Sequence, residues 1–230
     1  MKVIGLLGGM SWESTAIYYR LLNEMVREQL GGLHSAKLML WSFDFDEIVS
    51  LQTSGNWQEA THKMIEAGHA LKAGGADMLV ICTNTMHKMA DDIEQAVQLP
   101  LLHIVDATAH AIKTAGLRKV GLLATKFTME ERFYTERLHK QQIETLIPDE
   151  QARTDIHRII FQELCKGIIN PASKMRYLDI IASLKQQGAE GVILGCTEIG
   201  LLIQQADTTL PVFDTTYLHA RAAVNFATSQ

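Results

Sequence analysis

The chain repeats itself once, and the repeat constrains what it can fold into. The stretch Gly75-Ala76-Asp77-Met78-Leu79-Val80-Ile81-Cys82-Thr83-Asn84-Thr85 reads against Gly188-Ala189-Glu190-Gly191-Val192-Ile193-Leu194-Gly195-Cys196-Thr197-Glu198, each residue 113 positions after its counterpart. Both copies run from a helix end through a Gly-Ala turn and an apolar segment to a small polar triplet. Thr83 therefore stands opposite Cys196. A duplicated α/β unit is expected to bring two such strand ends face to face across a cleft. Two groups on opposite faces of one substrate carbon are what a stereochemical inversion needs.

Apolar runs at 3–7, 38–43, 78–82, 101–104, 120–124, 191–195 and 211–213 read as strands buried on both faces. Segments of helical spacing at 12–29, 57–73, 88–97, 107–114, 152–166, 173–187 and 217–228 separate them. This alternation predicts βα units and parallel sheets. The repeat extends further, with Val3-Ile4-Gly5-Leu6-Leu7 resembling Val120-Gly121-Leu122-Leu123 and the run from Pro100 to Asp106 resembling Pro211 to Asp214. The fold class expected is α/β: two similar parallel-sheet domains related by a pseudo-two-fold, with the active site in the interdomain cleft. The expected boundaries are 1–99 with 210–230 for the first domain and 100–209 for the second.

Composition narrows the function classes. A net charge of −5 argues against nucleic acid or an anionic membrane as partner. No run approaches the roughly 18 apolar residues of a membrane span, and the Gly-rich start is too short for a signal peptide, so a cytoplasmic location is expected. The three cysteines, Cys82, Cys165 and Cys196, are odd in number and widely spaced, which predicts no disulfide framework and no metal site.

The pieces Gly195-Cys196-Thr197-Glu198, Thr83-Asn84-Thr85-Met86-His87 and Ile4-Gly5-Leu6-Leu7-Gly8-Gly9-Met10-Ser11 resemble the PLP-independent aspartate/glutamate racemase family, and the resemblance covers essentially the whole chain. It implies an amino-acid substrate, proton transfer at Cα by two cysteines, no PLP, metal or other cofactor, and a homodimer by analogy. This sequence departs at one catalytic position. The family signature runs Cys-Asn-Thr-x-His; aligned on Asn84, the cysteine position holds Thr83, and Cys82 falls one residue early. Neighbouring strand residues point to opposite faces, so Cys82 is expected in the sheet packing and Thr83 in the cleft, unless a bulge rotates Cys82.

The catalytic candidates are thus Thr83 and Cys196. A thiolate is a usable base when its surroundings favour ionisation; a hydroxyl is far weaker. Turnover is expected to be slow or to favour one enantiomer. Ser11 reads equally as a helix cap or as part of an anion site. Asn84 and Thr85, which open the helix after Thr83, and Thr197, which follows Cys196, are placed to hold the α-carboxylate; Met10 is a cleft-lining candidate and Gln52 follows the acidic loop, whereas Thr125 and Thr128 resemble family substrate contacts and Lys166 stands where aspartate-using relatives anchor the distal carboxylate. Thr125 and Thr128 read equally as a capped turn, and Lys166 equally as a solvated helix-end residue. Asp44, Asp46 and Glu47 stand where aspartate-using relatives carry an arginine, which favours glutamate, a neutral polar amino acid or broad specificity over aspartate. Asp106 and Asp214 are expected to cap helices, His103 to be a core histidine, His87 to support the first half-site or be structural, and Glu198 to orient the second half-site or to favour a helix dipole. Two other functions stay open: a one-cysteine decarboxylase of the same superfamily, and an amino-acid-binding protein without turnover.

Overall fold

The computed structural model describes residues 1–229 and divides into two compact units, Met1–His103 with the segment from His219, and Ile104–Leu218. The first contains β1 (Ile4–Gly8), α1 (Trp12–Leu30), β2 (Leu38–Ser42), α2 (Phe45–Ser54), α3 (Trp57–Ala73), β3 (Met78–Ile81), a 3₁₀ turn (Thr85–Met89), α4 (Ala90–Val97) and β4 (Leu101–Leu102). The second contains α5 (Ile104–Thr114), β5 (Lys119–Ala124), α6 (Lys126–Glu130), α7 (Arg132–Lys140), β6 (Glu144–Leu146), α8 (Glu150–Gln162), a 3₁₀ turn (Leu164–Lys166), α9 (Pro171–Gln186), β7 (Gly191–Gly195) and β8 (Val212–Asp214). The closing helix α10 (Thr215–Thr228) supplies Ala220, Ala223, Val224 and Ala227 to the core of the first unit.

Each unit has one four-stranded sheet. The orders are β2-β1-β3-β4 and β6-β5-β7-β8, and every pairing is parallel. The repeat is kept down to single hydrogen bonds. Gly75 N–H donates to Lys72 O and Ala76 N–H to Leu71 O; 113 positions on, Gly188 N–H donates to Lys185 O and Ala189 N–H to Leu184 O. Both glycines have positive φ, +103° and +96°, which a side chain resists. The acids that follow do the same work. Asp77 accepts from Val3 N–H, and Glu190 accepts from the amides of Arg118 and Lys119. Each ties its strand's entry to the neighbouring strand.

The central strands of each sheet are covered on both faces, as parallel sheets require. In β3, Met78 and Val80, followed by Cys82, face Ile4, Leu6, Tyr18, Leu22 and Val224, whereas Leu79 and Ile81 face Leu7, Ile48, Met64 and Ala67. Full burial of each such aliphatic side chain contributes about 1.5–3 kcal/mol. The second unit has one contiguous core, including Val120, Leu122, Val192, Ile193, Leu194 and Tyr177.

Several expectations are corrected. β2 is not buried on both faces: it is an edge strand, and Leu40 and Trp41 are 51% and 43% exposed. β6 has no counterpart among the expected strands, because an exposed glutamate and two half-buried residues carry no apolar run. The acidic segment after β2 is the start of α2, with Asp44 as N-cap accepting from Asp46 N–H. The short helices α6 and α7 also lay in stretches without helical spacing. Asp106 is not a cap; it lies within α5 and is held by Arg137 in a bidentate pair at 2.9 and 2.7 Å. β4 hydrogen-bonds to β3 and β8 to β7, so each completes the sheet of its own unit. Among the described residues, no helix is long and apolar enough to cross a membrane.

Candidate active site

Ligands of open parallel sheets bind beyond the carboxyl ends of the strands. In the first unit these ends carry Gly9–Ser11, Phe43, Thr83–Thr85 and His103. Gly9 needs its positive φ, and an added Cβ there would run into the backbone of Phe43. Its amide donates to Thr15 Oγ1 at 2.8 Å, and Ser11 caps α1 by accepting from Ser14 N–H at 3.3 Å. Met10 is buried between these two anchors.

Cys82 is wholly buried, and burial pushes its thiol far above the ordinary range. It continues the strand, its amide donating to Leu7 O at 2.9 Å, with no bulge to turn it. Thr83, the next residue, is only partly buried. Its carbonyl accepts from His87 Nδ1 at 2.7 Å, which folds the 3₁₀ turn back on the strand end. Asn84 and Thr85 are buried in that turn. Gln52, on α2, is also buried and donates to Met86 Sδ at 3.2 Å. Met10, Gln52, Asn84 and Thr85 thus belong to the carboxyl-end region of this unit.

Behind the turn lies a group of histidines the sequence did not single out as one. The rings of His87 and His103 are 4.8 Å apart, and those of His87 and His219 are 5.3 Å apart. His219 Nε2 donates to Leu102 O at 2.8 Å, so its Nδ1 accepts from Tyr18 Oη at 2.8 Å. Burial lowers both titrations: His219 falls to about 4, and His87 is held well below the usual range, with His103 and His219 adding to the effect.

In the second unit, β5 and β7 pair Ala124 with Gly195, so Thr125 and Cys196 leave adjacent strand ends side by side. Thr125 caps α6, accepting from Thr128 N–H at 3.4 Å, and the two hydroxyls lie 3.2 Å apart. Cys196 is partly buried. Its thiol donates to Glu198 Oε2 at 3.0 Å, and Thr197 Oγ1 donates to the same oxygen at 2.6 Å. Cys165 donates to the other oxygen, Oε1, at 3.7 Å. Burial, then the charge of Glu198, then Cys165, push the Cys196 thiol well above the ordinary cysteine value. Glu198 therefore touches both cysteines and Thr197, closer to the thiol chemistry than a helix-dipole role requires. Asp214 is the cap expected of it, accepting from the amides of Thr216 and Tyr217, and burial raises its carboxyl.

Lys166 is exposed at the end of its 3₁₀ turn, while its neighbour Cys165 makes the contact with Glu198. Sequence reasoning gave Cys165 no role, and 31 residues of separation from Cys196 leave no local signal for one. Among the described residues there is no group of histidines, cysteines and acids arranged to hold a metal.

Comparison with known proteins gives a consistent picture. A crystal structure of a Yersinia pestis protein provisionally named an Asp/Glu racemase superposes with a TM-score of 0.93 at 54% identity over 100% of both chains. An aspartate racemase homologue from Pyrococcus horikoshii OT3 gives 0.88 at 36% identity, again over 100% of both. The broad specificity amino-acid racemase RacX of Bacillus subtilis is 22% identical over 97% of each chain. The model of the Asp/Glu/Hydantoin racemase family matches residues 7–223, and the chain belongs to that family.

Proposed function

We propose that the protein is a cofactor-independent amino-acid racemase in which Cys196 is the main acid and base at Cα and Thr83 occupies the second proton-transfer position. One observation carries this reading. Of the two equivalent strand ends, one carries a cysteine whose thiol is hydrogen-bonded to a carboxylate, and the other carries a partly buried threonine whose neighbouring cysteine is sealed in the core.

In the direction that uses Cys196 as base, its thiolate takes the α-proton and a carbanion forms at Cα. Thr83, directly or through water, returns a proton to the other face. In the reverse direction Cys196 is the acid. Amides and hydroxyls at Asn84, Thr85 and Thr197 hold the α-carboxylate and stabilise the developing enolate charge. Met10, Gln52, Thr125 and Thr128 shape the substrate site, and Lys166 anchors a distal carboxylate where the substrate has one. The acids at the start of α2, none offset by an arginine in that segment, favour glutamate, neutral polar amino acids or a broad set over aspartate. Because Thr83 is a weak base, turnover is slow or favours one enantiomer.

The test is incubation with L- and D-amino acids in D₂O, followed by NMR. Exchange of the Cα proton with inversion supports the reading, and its absence across all amino acids rejects it. The single competent thiol also favours a second reading, a decarboxylase that protonates from one face. Release of ¹³CO₂ from a labelled malonate-type substrate, without Cα exchange, would establish that one. Tight binding without either reaction would mark a binding protein. We also propose a cytoplasmic homodimer; its natural seam is the open edge of β2, which exposes Leu40 and Trp41 with no charged residue inside the strand to blunt it. Sedimentation equilibrium tests the dimer.

A further inference from the structure

Glu198 is a buried carboxylate that receives hydrogens from Thr197 and from two thiols, Cys196 and Cys165. Oε2 takes Cys196 at 3.0 Å and Thr197 at 2.6 Å, while Oε1 takes Cys165 at 3.7 Å. Cys165 comes from a different element, the 3₁₀ turn after α8. Thr197 and Cys196 approach one oxygen from the chain that carries Glu198 itself. Cys165 engages the other oxygen from outside.

We propose that Cys165 is a positioning residue of this site: it holds Oε1 of Glu198, keeps the other oxygen against Cys196, and so keeps the proton on the Cys196 sulfur. A negative charge fixed beside a thiol disfavours the thiolate. Releasing one oxygen lets the carboxylate turn away, and the thiol then ionises more readily. The role rests on Cys196 being the proton-transfer group, since its protonation state at rest decides in which direction it can act first.

The titratable surroundings are few. Tyr177, on α9, is fully buried, its hydroxyl makes no hydrogen bond, and its ionisation is pushed up by burial and then by Cys196, Cys165, Glu163 and Glu198. It stays neutral in the working range. Glu163, at the end of α8, is already engaged by Arg158 at 3.1 Å and Ser173 at 2.6 Å. Asp214, at the end of β8, approaches the turn after Glu198 at Gly200, where an added Cβ would lie 3.0 Å from its Oδ2. None of these donates to Glu198 Oε1 as Cys165 does.

The experiment follows the rate of iodoacetamide alkylation of Cys196 against pH, read by mass spectrometry of the Cys196 peptide so that labelling of the other cysteines does not interfere. Glu198→Gln is expected to lower the midpoint by at least ~1 pH unit. Cys165→Ala is expected to lower it in the same direction by roughly half as much, and Cys165→Ser, which keeps a donor, to restore it. In the Glu198→Gln background, Cys165→Ala should add no further shift. An unchanged midpoint in Cys165→Ala, or an equal shift with and without Glu198, overturns the proposal. The readout needs no turnover: coupled shifts in a protein that exchanges no Cα proton would reject the racemase and keep the positioning role.

Discussion

Tyr18 donates its hydroxyl to His219 Nδ1 at 2.8 Å, in a site where neither side chain has measurable exposure. The carbonyl of Leu102 fixes His219 as the Nε2–H tautomer, which leaves Nδ1 to accept from Tyr18, and burial favours the neutral imidazole. The titration of His219 falls from 6.5 to about 4 in the fold. Between those values the unfolded chain binds more protons than the folded one. The stability contributed by His219 is therefore fully present above about pH 6.5 and is lost as the pH falls toward 4, amounting to about 3 kcal/mol. His87 acts in the same direction. Urea unfolding at pH 7 and pH 4.5 should show this loss, and His219→Gln should flatten the difference. A pH-independent midpoint would refute it.

Cys82 and Thr83 separate cleanly by substitution. Cys82→Ala removes a sulfur from the packed face of the first sheet and should cost about 1 kcal/mol of stability while leaving turnover in place. Thr83→Cys should raise turnover, because it supplies the second thiol. Should Cys82→Ala abolish Cα exchange instead, Cys82 and not Thr83 would be the group at the first half-site.

The raised thiol of Cys196 predicts a direction-dependent pH profile. At neutral pH the residue is a thiol, ready as an acid and poor as a base. The direction that needs its thiolate should accelerate about tenfold per pH unit until the thiol ionises, whereas the opposite direction should not. Initial rates with separate L- and D-enantiomers from pH 7 to 9.5 decide this. Parallel profiles would refute it.

Gly75 and Gly188 occupy equivalent turns at φ +103° and +96°, with no hard obstacle beyond them: an added Cβ meets nothing within 4 Å at Gly75 and only the Lys119 side chain at 3.8–3.9 Å at Gly188. Alanine at either should cost about 1–2 kcal/mol through backbone strain alone, and by similar amounts. Thermal unfolding of the two single variants measures it, and a large inequality would show that the turns are not equivalent.

Lys166 is exposed, so Lys166→Ala should change stability by less than about 0.5 kcal/mol. If it anchors a distal carboxylate, KM should rise for dicarboxylic substrates and hold for neutral ones. An equal effect on both would remove it from the site.

Much of this was legible along the chain. The strand-ending triplets, the Gly-Ala turns and the helix caps at Ser11 and Thr125 depend on residues within a few positions of one another, and local sequence encodes them. The period-2 alternation likewise predicted that Cys82 enters the packing when Thr83 does not. Other features were illegible for equally physical reasons. β6 is too short to carry a period. β2 reads as apolar as a central strand, yet sheet order leaves it at an edge.

The sequence by itself determined that the fold is doubled and that sulfur stands at one strand end and oxygen at the other, because repeats and side-chain alternation are one-dimensional properties. Only the tertiary structure decided what surrounds them. Cys165 reaches Glu198 from 33 residues away, and Tyr18 reaches His219 from 201 residues away. Those pairs are set by how helices and turns pack onto the sheets, and chain-local preferences carry no record of that packing.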